Sequence, residues 1–539
     1  MSQINKKRIL KNKYYLYLTE FFSGMSVMAV ELGASRLLAP YFSSSQIVWT
    51  IIIGTIMIAM ALGNIYGGRA ADKNPNPDIL YRRILVAAIW IAAIPVVGKY
   101  IVIGISALLI FSVSNGFLVL AAFVSCMVIF VFPLFLLGTV TPSLVKYTVD
   151  SLDESGSTVG KLNASNTIGS IIGTFVPTFI TIPSVGTSVS FLIFAGILLL
   201  LSAAYFISER TGKIRIAVGL VLVLLCCTLG AKNSFAFWES NLSYEGESVY
   251  NYLQVKETEQ STILSTNVLF GVQSIYYKDK QLTGMYYDYA MAAPYMAGFE
   301  EKTSLDVLVL GMGSGTFATQ CRRYFGEEKL NITGVEIDEK ITGLAREKFG
   351  LPEDTKVVTY DGRAYLGAVK DKYDVIMVDA YQDITIPFQM SSVEFFREVK
   401  EHLNPDGVMV VNMNMRTAED EINRYLSDTI SSVFGNVYTI DVEDSTNREL
   451  FASDNPQMME RFEQNMERGT SVDMNLKNLM RKINSLIVEY TPGNHVMTDN
   501  QAPVELLGMR AIDALIEDEV AYYKKIYAEK GIRGVIERL

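Results

Sequence analysis

Histidine is nearly missing: His402 and His495 are the only two in 539 residues. A Ser-His-Asp triad or a histidine-based zinc or iron centre has almost nothing to be built from, so no metal is expected. Cysteine is sparse too. Of the four, Cys126, Cys226 and Cys227 lie in apolar stretches and Cys321 stands alone in the more polar part of the chain. That part cannot close a disulfide within itself, which is compatible with a reducing compartment. The chain has no G-x-x-x-x-G-K-[ST] phosphate loop, no G-x-G-x-x-G pyrophosphate fingerprint, no internal repeat and no low-complexity tract. Positive charge is in deficit, with 47 basic against 57 acidic residues and a net charge of −10, which argues against nucleic-acid binding.

Apolar residues are abundant. They make up 50% of the chain against 19% charged residues, and the mean hydropathy is +0.24. The excess is concentrated in the first 230 positions, where runs at 18–40, 47–69, 82–107, 117–143, 164–184, 186–207 and 214–231 each approach the ~20 residues that cross hydrocarbon as a helix. The basic opening lacks a small-residue cleavage site and leads into a run too long for a signal peptide, so the first run is expected to be a retained helix of a multi-pass cell-membrane domain. Lys6, Lys7, Arg8, Lys11 and Lys13, then Arg69, Lys73, Arg82 and Arg83, then Lys146 and Lys161, then Arg210, Lys213 and Arg215 are assigned to the cytoplasmic side. Seven crossings would carry the more polar part of the chain to the outer face. An intracellular cofactor would place it in the cytoplasm, and Gly98 with Lys99 is a candidate interruption hiding a further crossing or a re-entrant piece. Glu20, Glu31 and Arg36 fall in the first run. They form either a polar site for a polyamine or a lipid headgroup, or hydrogen-bonding glue between helices, and glue is the commoner use.

Past about residue 236 the pattern changes. Period-2 alternation over 248–300 predicts a small antiparallel β module, and apolar strands at 305–310, 331–336, 356–360, 373–379 and 407–413 alternate with helical patterns. The expected organisation is a transmembrane helical domain over 1–235, the β module over 236–300, and an α/β domain over 301–539. The last has a mostly parallel, Rossmann-like sheet of the class I methyltransferase type.

Ligands of such sheets bind beyond the carboxyl ends of the strands, where strand order reverses. "LGMGSGTF" is the first strand-to-helix turn, and Gly311, Gly313 and Gly315 let backbone approach a ligand where a Cβ would obstruct it. Glu336 ends the second strand, placed to accept both hydroxyls of a ribose. Asp361 ends the third, either to meet an adenine amino group or to cap a helix. Glycines plus two acids at successive strand ends point to a nucleoside without phosphates. Asp379 emerges from the fourth strand beside that ligand, with Tyr381 and Asp383 on the same loop, and a carboxylate there can accept a proton from an amine.

The residues from about 248 to 508 resemble the spermidine synthase (polyamine aminopropyltransferase) family, and the whole chain resembles its membrane-fused branch. The family's "S-x-Y-Q" is similar to Ser248-Val249-Tyr250-Asn251, its "DG-x-x-Q" to Gly271 and Gln273, and its "YHEM…P" to Tyr286, Tyr287, Asp288, Tyr289 and Pro294. "EID" stands as Glu336-Ile337-Asp338, "DGR" as Asp361-Gly362-Arg363, and the family's catalytic Asp falls on Asp379. "LFASDNP" and "TDNQAPVE" also resemble the membrane-fused members. The resemblance implies aminopropyl transfer from decarboxylated S-adenosylmethionine to a polyamine, putrescine to spermidine, with release of methylthioadenosine. It implies Asp379 as base, Gln273, Ile337 and Gly362 beside the cofactor, and Tyr287, Asp288 and Asp383 near the acceptor. The acidic balance suits cationic amines, and a homo-oligomer is left open. One departure matters. In the family's "GGGDGG" loop the Asp holds the terminal amine of the decarboxylated cofactor, and here that position is Ser314. Either another acid such as Asp288 compensates, or the ligand is intact S-adenosylmethionine, used for methyl transfer or cleaved to methylthioadenosine. A third reading keeps the membrane part as a transporter and the globular part as a nucleoside sensor.

Overall fold

A computed structural model describes residues 12–536 apart from 43–44, 110–115, 149–154, 232–233, 240, 269–270, 280, 327, 381–385, 415–419 and 469–472. Two compact units are formed. One comprises Met1–Ser240, Glu245–Tyr252 and Asn267–Leu269, the other Asn241–Tyr244, Leu253–Thr266 and Phe270–Leu539.

The first unit is helical. Its helices are α1 (Lys13–Phe42), α2 (Gln46–Lys73), α3 (Pro77–Leu109), α4 (Phe117–Gly138), α5 (Val140–Thr148), α6 (Ser155–Val176), α7 (Ile182–Ser208) and α8 (Lys213–Gly230), with a π turn at Pro177–Thr181. Among the described residues, six helical stretches are long and apolar enough to cross a bilayer by length and composition. One of them, Gly156–Ser208, runs for 53 residues, which at 1.5 Å per residue is about 80 Å, far beyond a hydrocarbon core of ~30 Å. Gly186, at φ 83° and ψ 166°, breaks it, and α6 and α7 both pack on α1. The fifth and sixth apolar runs thus share one helical stretch that is divided at Gly186, where the two runs adjoin. The interruption expected at Gly98 and Lys99 is absent, because α3 continues through both. Lys99 is instead taken up by the carbonyl of Ser234 at 2.7 Å and the ring of Phe237 at 4.6 Å.

Inside this unit a Cβ on Gly169 would fall 2.0 Å from the Phe21 carbonyl oxygen, and one on Gly173 would fall 2.1 Å from that of Met25. The backbones of α1 and α6 touch, as small residues spaced by four allow. Glu20 lies across that contact. Its Oε1 accepts hydrogen bonds from Thr141 Oγ1 at 2.5 Å and Asn166 Nδ2 at 2.8 Å, so it ties α1 to α5 and α6. Arg36 donates to the Val249 carbonyl.

The second unit contains most of two sheets. Strands β1 (Leu242–Glu247), β2 (Tyr252–Glu257), β3 (Ser261–Ser265) and β4 (Ser274–Tyr277) lie side by side in chain order, with β2–β3 and β3–β4 antiparallel. The larger sheet contains β5 (Leu305–Leu310), β6 (Leu330–Glu336), β7 (Lys356–Thr359), β8 (Tyr373–Val378), β9 (Leu403–Asn414), β10 (Asn436–Asp441), β11 (Asn447–Ser453) and β12 (Val488–Glu489). Its order is β12-β10-β11-β9-β8-β5-β6-β7. From β7 to β9 every pair is parallel, while β11 runs antiparallel to both β9 and β10. Strands β5, β8 and β9 are buried on both faces: Val307, Val309, Met377 and Val410 enter one core, and Leu308, Leu310, Ile376 and Val411 the other. That is why these strands read as unbroken apolar runs, and each such side chain contributes about 1.5–3 kcal/mol by burial. Chain order reverses between β5 and β8, which fixes where a ligand can enter.

Candidate active site

Five more helices frame that point: α9 (Tyr286–Ala290), α10 (Ala292–Met296), α11 (Thr316–Phe325), α12 (Glu339–Lys348) and α13 (Gly362–Ala368). Between β5 and α11, Gly311, Gly313 and Gly315 have φ of 80°, 56° and 84°. A Cβ on Gly311 would stand 2.5 Å from Ala380 Cα and 2.6 Å from the Asp379 carbonyl, and one on Gly315 would stand 2.5 Å from Leu351 Cδ1. Protein neighbours impose a demand of their own on these glycines. Their missing side chains make room for protein neighbours, which lets the loops after β5 and β8 meet. Ser314 donates its N–H to Ser274 Oγ at 3.1 Å, while its own Oγ is buried without a partner.

Glu336 sits at the end of β6, as its strand-end position predicts. Oε2 accepts the Gly313 N–H at 2.9 Å and Oε1 the Asp338 N–H at 3.0 Å. Each oxygen keeps a lone pair for a further donor, and burial raises the carboxyl above its ordinary range. Ile337 is exposed beside it. Asp361 caps α13 by accepting from the Ala364 N–H at 2.8 Å, so the cap and the strand-end acid are one residue, and Gly362 opens the helix. The Gln273 carbonyl accepts the Tyr287 hydroxyl at 2.6 Å, which fixes β4 to α9.

Asp379 lies just past the end of β8 and is 8% exposed. Oδ2 accepts the Tyr286 hydroxyl at 2.7 Å, and Oδ1 accepts Asn412 Nδ2 at 2.8 Å. Burial pushes its carboxyl up to about 7, with the Glu336 charge adding to the rise and the two hydrogen bonds opposing it. A carboxyl poised near neutrality in a cleft is suited to exchanging a proton. Asp288 is buried as well. Its oxygens accept the Gly284 N–H at 2.7 Å and Gln320 Nε2 at 3.2 Å, and burial lifts it to about 6. Tyr381 and Asp383 lie outside the described residues.

Several partners are not singled out by the sequence. Asn412 ends the apolar run "VMVV" of β9 just as Asp379 ends that of β8, so the same strand-end signal is present. Tyr286, which opens the stretch similar to "YHEM…P" but has no role assigned there, carries the hydroxyl that reaches Asp379. Arg363 joins Glu398 at 2.8 Å to Asp499 at 2.7 Å, linking "DGR" to "TDNQAPVE" across the fold. The histidines are otherwise employed: the ring nitrogens of His402 meet the carbonyls of Glu398 and Val369, and His495 pairs with Asp428. Among the described residues no cluster of three or more His, Cys, Asp or Glu is placed to hold a metal ion.

The Spermine/spermidine synthase domain family matches residues 289–442, which include β5 to β9 and Asp379. A probable polyamine aminopropyl transferase of Bifidobacterium longum (strain NCC 2705) is 52% identical over 352 residues, covering 62% of this chain and 77% of that one. The chain belongs to the polyamine aminopropyltransferase family. It is accordingly an enzyme of the transferase class. A second member, the polyamine aminopropyltransferase of Vibrio vulnificus (strain CMCP6), is 30% identical and covers 43% of this chain and 78% of its own. Among solved structures, a probable spermidine synthase from Corynebacterium glutamicum ATCC 13032 is 21% identical, with a TM-score of 0.35, covering 46% of this chain and 94% of that one.

Proposed function

We propose that this aminopropyltransferase moves the aminopropyl group of decarboxylated S-adenosylmethionine to a polyamine, putrescine to spermidine. The observation that carries the reading is Asp379, held by Tyr286 and Asn412 and lifted to about 7 beside the glycine loop and Glu336. The amine nitrogen attacks the carbon bound to sulfur, the C–S bond breaks, and methylthioadenosine leaves with the bonding pair. The proton shed by the new secondary amine passes to Asp379. Glu336 accepts the ribose hydroxyls through its remaining lone pairs, and Asp361, Gly362, Ile337 and Gln273 border the nucleoside. Tyr287, Asp288, Tyr381 and Asp383 are assigned to the acceptor side.

The helical unit is proposed to span the cell membrane in contact with lipid, with the catalytic unit in the cytoplasm. Its outward side chains support this: Met57 is 65% exposed, Leu200 70% and Val221 63%, an apolar surface suited to hydrocarbon rather than water.

Ser314 supports a second reading. Its buried hydroxyl has no partner and offers no charge to a terminal ammonium, so intact S-adenosylmethionine is the competing substrate. Purified full-length protein in detergent, given either form with putrescine, separates the two. Methylthioadenosine and spermidine from the decarboxylated form alone support transfer. S-adenosylhomocysteine would replace it with methyl transfer, and methylthioadenosine from the intact form without an acceptor would replace it with cleavage.

A further inference from the structure

A third carboxylate shares the face that carries Asp379. Register pairs Val378 with Val411 and Asn412 with Glu449, so Asp379, Asn412 and Glu449 form one row across β8, β9 and β11. Met377, Val410 and Phe451, two residues from each in turn, enter the same core as Tyr286 and Tyr287, so the row faces α9. Two of its three side chains are hydrogen-bonded. Asp379 accepts from Tyr286 and Asn412, and Asn412 Oδ1 accepts from Asn447 Nδ2 at 2.8 Å. Glu449 is different: it is 0% exposed, and neither carboxylate oxygen has a partner. The adjacent cation, Arg448, points to the opposite face and pairs with Asp441 at 3.0 Å. A buried carboxylate left bare is costly unless a donor or a cation completes it.

We propose that Glu449 holds the second ammonium group of a diamine acceptor while the first lies at Asp379, so that the enzyme selects amines with two cationic ends. This deepens, and rests on, the aminopropyl-transfer reading. The dimensions agree. Two strand spacings put the backbones of Asp379 and Glu449 about 10 Å apart. A four-carbon diamine spans about 6 Å between nitrogens at the ~1.2 Å per bond of an extended chain, and a hydrogen bond at each end covers the rest. Burial with the Asp379 charge nearby raises Glu449 well above its ordinary range, a penalty that an arriving ammonium relieves. Only Asn412 stands between Glu449 and the base in the row, so occupancy at Glu449 also fixes which nitrogen attacks.

The test compares wild type, Glu449→Gln and Glu449→Asp as full-length proteins in detergent. Binding of 1,4-diaminobutane and of 1-aminobutane is measured by calorimetry with methylthioadenosine present, alongside turnover with decarboxylated S-adenosylmethionine. Glu449→Gln is expected to weaken the diamine by about tenfold to hundredfold, the range lost with one charge-assisted hydrogen bond. Monoamine affinity should change by less than about threefold, turnover with the diamine should show its loss chiefly as a raised KM, and Glu449→Asp should recover part of the diamine affinity. An unchanged ratio of diamine to monoamine affinity in Glu449→Gln would overturn the assignment. Wild type that binds the diamine through Glu449 but releases no methylthioadenosine would leave the diamine site standing and overturn the transfer reading instead.

Discussion

Replacing Asp379 by Asn removes the proposed proton acceptor while keeping the side chain's shape. The asparagine carbonyl can accept from either Tyr286 or Asn412, and its amide hydrogens then confront the other donor, which wild type satisfies at 2.7 and 2.8 Å. Loss of a positioned base predicts a fall in kcat of roughly 10²–10⁴. Stability should move the other way. The rise of Asp379 from its ordinary 3.8 to about 7 means that stability is fully present below about pH 4 and is lost as pH climbs through about 7, by about 4 kcal/mol in all at ~1.36 kcal/mol per pH unit. Asparagine does not ionise. Against wild type, Asp379→Asn should therefore gain on the order of 2–3 kcal/mol between about pH 5 and about pH 8, on top of a pH-independent loss of about 1–3 kcal/mol for the compromised hydrogen bond. Methylthioadenosine release and scanning calorimetry across that range measure both. A variant that keeps its rate within tenfold, with a stability difference flat in pH, would refute the reasoning.

Two further outcomes come from the same geometry. Tyr286→Phe deletes one of the two donors that hold the Asp379 charge, so the rising limb of rate against pH should shift above about pH 7 with cofactor affinity unchanged; an unmoved limb would remove Tyr286 from the account. Ser314→Asp returns a carboxylate beside the terminal amine and should tighten the decarboxylated cofactor by about tenfold while weakening the intact one. Isothermal titration with both forms measures it, and a preference moving the other way would favour the intact cofactor.

The parallel half of the large sheet was legible because strands buried on both faces leave uninterrupted apolar runs, and Glu336, Asp361 and Asp379 were found by asking what stands at their ends. The antiparallel edge from β10 to β12 escaped that signal. Strand β12 has only two residues, and β11 carries Asn447, Arg448 and Glu449 among its apolar positions. Glu449 was illegible for a related reason: a charged residue inside a strand reads as solvent-facing until register shows that its neighbour is Asn412. The glycine turn was legible from its spacing after an apolar strand, but not the neighbours that crowd it, since Ala380 and Leu351, which occupy the space of the missing side chains, are distant in sequence. The α3 interruption failed because Lys99 finds a carbonyl and an aromatic ring inside the helical unit, which no local pattern encodes.

The most direct test of the central claim tracks the transferred atoms. Full-length protein in detergent is given putrescine and decarboxylated S-adenosylmethionine carrying a ¹³C-labelled aminopropyl group, and the products are analysed by mass spectrometry. The account predicts labelled spermidine and unlabelled methylthioadenosine in equal amounts, both suppressed in Asp379→Asn. Methylthioadenosine without labelled polyamine, or equal turnover by Asp379→Asn, would contradict it.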